Sequence, residues 1–136
     1  FTDGIAQDAV EEENISFPAN WGTLQVQKLN ISNVSVLSDQ ALSWELQFYA
    51  TDGHADTDAD TNSFITSLFF DANDAKQNAG TGLYSYDANP AQVPFVYHDE
   101  DNSSELHLTL VNRSATAKTA GSAGEVKVRI YAEPIV

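Results

Sequence analysis

The stretch "DTDADTN" sets Asp56, Asp58, Asp60 and Asn62 at every second position. Hard oxygen ligands at this spacing can wrap one Ca²⁺ from a single loop. The match to an EF-hand loop is poor. Thr61 stands where glycine would make the sharp turn, and Ser67 where a bidentate Glu is expected. A candidate calcium loop, with Asp52 as a further ligand, and a merely solvated acidic loop are both open readings. "HDED", from His98 to Asp101, is a second acidic loop that could hold an ion.

Motifs for catalysis are missing. His54, His98 and His107 form neither HxH nor HExxH, so a catalytic zinc site has no support. His107 lies on the polar face of an alternating segment and reads as surface. No GxSxG or phosphate loop appears. Carboxylates are too many to single out a glycosidase pair. With neither Cys nor Met in the chain, disulfides, thiol catalysis and thiolate metal sites are excluded. The expectation is a protein that is not an enzyme.

Two other groups of residues could bind or be modified. Tyr84 and Tyr86 flank Ser85 in a loop-like stretch and form a candidate stacking pair for a sugar. Trp44 shares its alternation with Leu42, Leu46 and Phe48 and reads as core. Asn14, Asn30, Asn33, Asn102 and Asn112 each begin an N-x-S sequon, a pointer to glycosylation of an exported protein.

The elements that must position these residues are strands. Period-two alternation dominates, the mark of strands with one buried face. Leu24 and Val26 alternate with Gln25 and Gln27. Leu29 and Ile31 begin a run that Val34 and Val36 continue with opposite parity, so a bulge or turn is expected near Asn33. Leu42 to Phe48 forms a clean strand face. "FITSLFF" reads as a strand buried on both faces. "DANDAKQNAGTG" reads as a turn or short helix, and the Pro-containing stretch from Leu83 to Ser104 as edge strand plus loop. Leu106, Leu108 and Leu110 alternate, and Val126, Val128, Ile130 and Ala132 close the chain. The fold class that follows is all-β: a single jelly-roll-like β-sandwich of about seven or eight strands with an extended N-terminal segment. Residues 1–13 form that acidic segment and 14–136 the sandwich domain.

At 136 residues the chain suits one domain with a sizeable core. Its net charge of −14 argues against nucleic acid and against anionic membranes. Many Asp and few Lys suit a salty habitat, where screening blunts self-repulsion. No apolar run approaches a membrane span. A start at Phe1 fits a trimmed chain or a mature product after removal of a signal peptide, hence an extracellular or cell-surface location. Asp3, Asp8, Glu11, Glu12 and Glu13 crowd the leader, whereas Arg113, Lys118, Lys127 and Arg129 crowd the last quarter. The asymmetry favours head-to-tail contact between copies, or ordinary pairing within one chain.

Several short motifs carry a resemblance. Phe1 and Asp3 match an F-x-D opening. Phe17, Ala19, Gly22, Thr23, Leu24 and Val26 match a following G-T-L-x-[LV] segment with a two-residue insertion. Asn30, Ile31, Ser32, Asn33 and Val34 match N-[LI]-S-N-[LV], and Gln47 and Phe48 a strand ending in Q-F. In these stretches, about a third of the chain, the sequence resembles the TasA/camelysin family of biofilm-matrix fibre proteins, which includes archaeal bundling-pilus subunits. "VLSDQ" replaces the usual P-G-D turn. The resemblance implies a jelly-roll-like subunit of an extracellular fibre or pilus. Its partner is a second copy of itself, met by donor-strand complementation through the N-terminal segment. Phe1, Asp3, Ile5 and Val10 are then the candidate donor residues. A single-jelly-roll viral coat or spike protein and a secreted carbohydrate-binding module using Tyr84 and Tyr86 are the alternatives.

Overall fold

In a computed structural model of the chain, two antiparallel sheets face one another across a core of aliphatic and aromatic side chains. The structure describes residues 1, 4–24, 26–52, 63–119 and 126–135, with backbone alone for 22–24. Among the described residues nine strands follow in order: β1 (Val10–Ser16), β2 (Lys28–Ser38), β3 (Trp44–Tyr49), β4 (Phe64–Phe70), β5 (Lys76–Gln77), β6 (Tyr84–Asp87), β7 (Phe95–His98), β8 (Glu105–Asn112) and β9 (Val126–Ile135). The first sheet runs β1-β8-β3-β4. The second runs β5-β6-β2-β7, with β9 along the other flank of β2. The all-β sandwich expected from alternation is the fold observed.

The parity change in the β2 sequence has the expected physical form. β2 is one continuous strand whose register against β9 shifts between Ile31 and Asn33. The extra residue restores the inward direction, so Ile31, Val34 and Val36 are all buried. On β3, Trp44, Leu46 and Phe48 face the core with Leu106, Leu108 and Leu110 of β8. Ring packing between Phe48 and Phe95, centroids 4.9 Å apart and edge on, ties the sheets together.

Two expectations are corrected. The segment around Leu24 is a 3-10 turn (Ala19–Leu24), not a strand. Pro18 and Gly22 interrupt the pairing there, and Trp21 N–H closes a turn onto the Pro18 carbonyl. β4 is an edge strand with Phe64 and Phe69 open to solvent, so it is not buried on both faces. β1 runs across residues 13 and 14, with main-chain pairing to β8 from Val10 through Ser16.

Candidate functional site

The leader docks along one side of the sandwich and joins the sheets. Phe1 exchanges both main-chain hydrogen bonds with Val126 of β9, at 3.1 and 2.9 Å. Four residues on, Ile5 bridges Lys118 with both bonds, at 3.2 and 2.8 Å. β1 then pairs with β8 in the opposite sheet. The strap thus crosses from the β9 edge to the β8 edge. Ile5 is 1% exposed and belongs to the core. Among the described residues of 1–16 it is the one buried apolar side chain; Val10 is half-buried, and Glu13 to Ser16 are exposed. Of the four candidate donor residues, Phe1, Ile5 and Val10 therefore make contacts within their own chain, and Asp3 lies outside the described residues.

Charge asymmetry is used in the same docking. Arg113 donates to Asp8 in the leader at 3.0 Å and to Glu45 of β3 at 2.6 Å. Beside the strap, a groove of about 780 Å³ runs between β1 and β9, lined by Phe1, Ile15, Val128, Arg129 and Tyr131 among others. The inward row of β9, Val128, Ile130 and Ala132, is only half-buried. Among the described residues no strand pairs with the far edge of β9 beyond Val126.

At the other end of β1 lies a buried polar centre. The loop from β7 to β8 crosses between the sheets and winds tightly, with Asn102 and Ser104 at positive φ. It turns Asp99 and Asp101 back over the start of β8, onto His107. His107 is fully buried and Asp99 1% exposed, so the reading of His107 as surface is overturned. The alternation was sound, because His107 does point away from the leucine face. That outward row, with Gln47, Tyr49 and Thr109, is nonetheless buried.

The hydrogen bonds around the centre fix its orientation. The Asn14 side-chain amide donates to Asp52 at 2.9 Å, so its oxygen meets His107 Nδ1, also at 2.9 Å. Nε2 of His107 faces Ser103 Oγ at 3.1 Å, Asp101 Oδ1 at 3.3 Å and Asp99 Oδ1 at 3.7 Å. Asp99 also accepts from Ser104 N–H at 2.7 Å and from Ser103 Oγ at 3.1 Å. Asp101 accepts from the backbone of Asp52 at 3.0 Å and of Ser103 at 3.2 Å. Burial, and next the Asp101 carboxylate, push Asp99 up from the ordinary carboxyl range. The hydrogen bond from Asp99 holds Asp101 well below it. Two members of the "HDED" loop, Asp99 and Asp101, are therefore the ion-binding candidates among the described residues. His98 and Glu100 sit outside on the surface. The signal available in the sequence was the D-x-D spacing shortly before a strand that carries His.

The remaining candidates separate cleanly. Asp56, Asp58, Asp60 and Asn62 lie outside the described residues. Tyr86 is 2% exposed and donates its hydroxyl to the Leu42 carbonyl at 2.7 Å, so it cannot stack on a sugar beside half-buried Tyr84. Burial pushes its phenol up to about 12. Among the sequons, Asn112 is fully buried, with its amide donating to the carbonyls of Ile5 and Thr116. Asn14 is engaged as described and Asn102 accepts from Gln27. Asn30 is half-buried in β2, and Asn33 is exposed at the bulge. Among the described residues no helix is long and apolar enough to cross a membrane. No protein-family model, curated protein or solved structure matches this chain.

Proposed function

We propose that this chain is the structural subunit of an extracellular fibre, polymerising head to tail by exchange of its N-terminal strand between copies. The observation that carries the reading is the manner in which residues 1–16 are held. The described ones form an outer strap, joined by main-chain pairing, with Ile5 as their one fully buried apolar side chain. Releasing the strap exposes Ile5, worth about 1.5–3 kcal/mol of apolar burial, together with the half-buried Phe1, Ala9 and Val10. It also bares the β8 edge, which presents the same ladder to the same segment of another copy. The hydrogen bonds and packing that the strap gives up within one chain re-form between two, so exchange is close to balanced in free energy. A reciprocal exchange closes a dimer, whereas a one-way exchange continues as a filament. The acidic leader and the Arg113 side of the slot set the direction of that contact.

Electron microscopy of the full chain beside a chain lacking residues 1–10 tests the reading. Filaments from the first and globular particles from the second support it. Filaments from both remove the leader's role, and monomers from both sink the polymer. A cysteine pair at Ser16 and Glu105, which face one another across β1 and β8, gives a second readout. In exchanged filaments the oxidised pair links different chains into a ladder on a denaturing gel. In a monomer it links one chain to itself.

A further inference from the structure

We propose that Asp99, Asp101 and His107 form a binding site for a first-row divalent transition cation, with Zn²⁺ as its representative. The inference does not depend on strand exchange.

Proton counting around His107 is the first argument. Asn14 presents its oxygen to Nδ1, because its amide is committed to Asp52, so Nδ1 carries the ring proton. In neutral His107, Nε2 is then a lone pair, fully buried and aimed at two carboxyl oxygens. Ser103 has one hydroxyl proton to serve both Asp99 and His107. Asp101 Oδ1 has the Ser103 N–H as its donor, which leaves Asp99 Oδ1 and His107 Nε2 to share one hydroxyl proton, and an unmatched buried acceptor is costly. A cation placed between them satisfies all three at once.

Distances supply the second argument. Ligand atoms about 2.0–2.1 Å from a tetrahedral centre lie roughly 3.3 Å from one another. His107 Nε2 stands 3.3 Å from Asp101 Oδ1 and 3.7 Å from Asp99 Oδ1, and all three ligand atoms lie within 4.8 Å of one another. Asp101 is partly open to solvent and gives the ion an entrance. The ligand set chooses the metal. One imidazole nitrogen with two carboxylates suits Zn²⁺ and its neighbours, whereas Ca²⁺ asks for six to eight oxygens. The Nδ1 contact to Asn14 is the outer hydrogen bond that orients a metal-binding imidazole. Ser103 Oγ or a water completes the fourth position.

The test is titration of Zn²⁺ into the chelator-treated full chain, followed by calorimetry and by the thermal midpoint. Asp56→Asn, Asp58→Asn and Asp60→Asn are present throughout, so the other acidic run contributes nothing. The expected result is one Zn²⁺ per chain with a raised midpoint, and no comparable effect of Ca²⁺. Asp101→Asn and His107→Gln should each weaken uptake roughly tenfold or more, and Asn14→Ala by a similar factor through the outer contact. His107→Gln alters a buried ring and can unfold the chain. A nitrogen-15 spectrum of the His107 ring in the otherwise unaltered chain therefore supplies a separate readout, in which Nε2 and not Nδ1 must shift on Zn²⁺ addition. No uptake at millimolar Zn²⁺, uptake unchanged in Asp101→Asn, or preference for Ca²⁺ would overturn the proposal.

Discussion

Asn112 donates its side-chain amide to the carbonyl of Ile5 across 2.9 Å, in a buried contact that joins the end of β8 to the leader. The same amide donates to Thr116 at 2.8 Å, and its oxygen accepts from Ser114 N–H at 2.8 Å. One side chain therefore fastens the leader and shapes the turn after β8. Asn112→Ala leaves the Thr116 carbonyl without this donor and the Ser114 amide without this acceptor. The expected cost is about 1–3 kcal/mol per buried group left unmatched. Hydrogen exchange should quicken at Ile5 and Lys118 before it does at β3, and denaturant unfolding should show the loss.

Ile5→Ala is expected to weaken the leader more than any other single change within residues 1–16. It removes a side chain fully enclosed by the core. Such truncations cost about 2–5 kcal/mol, depending on how far the site collapses. Urea unfolding measures the total. Proteolysis after residue 9 separates local release from global unfolding. If the leader stays protected in Ile5→Ala, the ladder to β8 and not the anchor holds it.

The alternation of Trp44, Leu46 and Phe48, and of Leu106, Leu108 and Leu110, was legible because each strand buries one face against the opposite sheet. The shift at Ile31 and Asn33 was legible for the same reason, since parity in a strand has only two values. The leader was not, because Glu11 to Glu13 show no apolar alternation and the main-chain pairing with β8 requires none. His107 was misread because alternation gives direction and not cover. Nothing in a period of two says that the outward row of β8 and β3 is buried. The meeting of Asp99, Asp101 and His107 depends on a loop that crosses between sheets, and such a path is set by tertiary packing.

Arg113 is expected to contribute little on its surface side. Asp8 is 61% exposed and its partner 27%, so the pair is well solvated. Asp8→Asn should cost under about 1 kcal/mol, and less as salt rises. Glu45→Gln should cost more, because Glu45 also accepts from Gln47 and Ser67 and is less exposed. Unfolding midpoints at low and high salt distinguish the two arms. Equal loss from both variants would mean that Arg113 acts through packing of its stem.

In a host that glycosylates N-x-S sequons, folded protein should carry sugar at Asn33 and none at Asn112. Asn33 is exposed at the bulge of β2, whereas the Asn112 amide is spent on two carbonyls in the interior. A glycan there would evict the leader. Mass spectrometry of peptides from soluble material checks the assignment, and an occupied Asn112 in folded protein would contradict the docking described.

Tyr86 should govern part of the alkaline limit of stability. Its hydroxyl donates to the Leu42 carbonyl in the core, and burial raises its pKa to about 12. The unfolded phenol titrates near ~10. A group raised in the fold contributes stability that is complete below the unfolded value and disappears as pH climbs through the folded one. The loss attributable to Tyr86 should therefore begin near pH ~10 and be complete by about 12. Tyr97 is raised in the same direction by its own burial and adds to the fall. Tyr86→Phe should cost about 1 kcal/mol at neutral pH, from the missing hydrogen bond. It should also flatten the alkaline limb. Urea midpoints across pH 8–12, read beside tyrosinate absorbance, provide the check. Parallel curves for the two proteins would show that the phenol ionises without loosening the core.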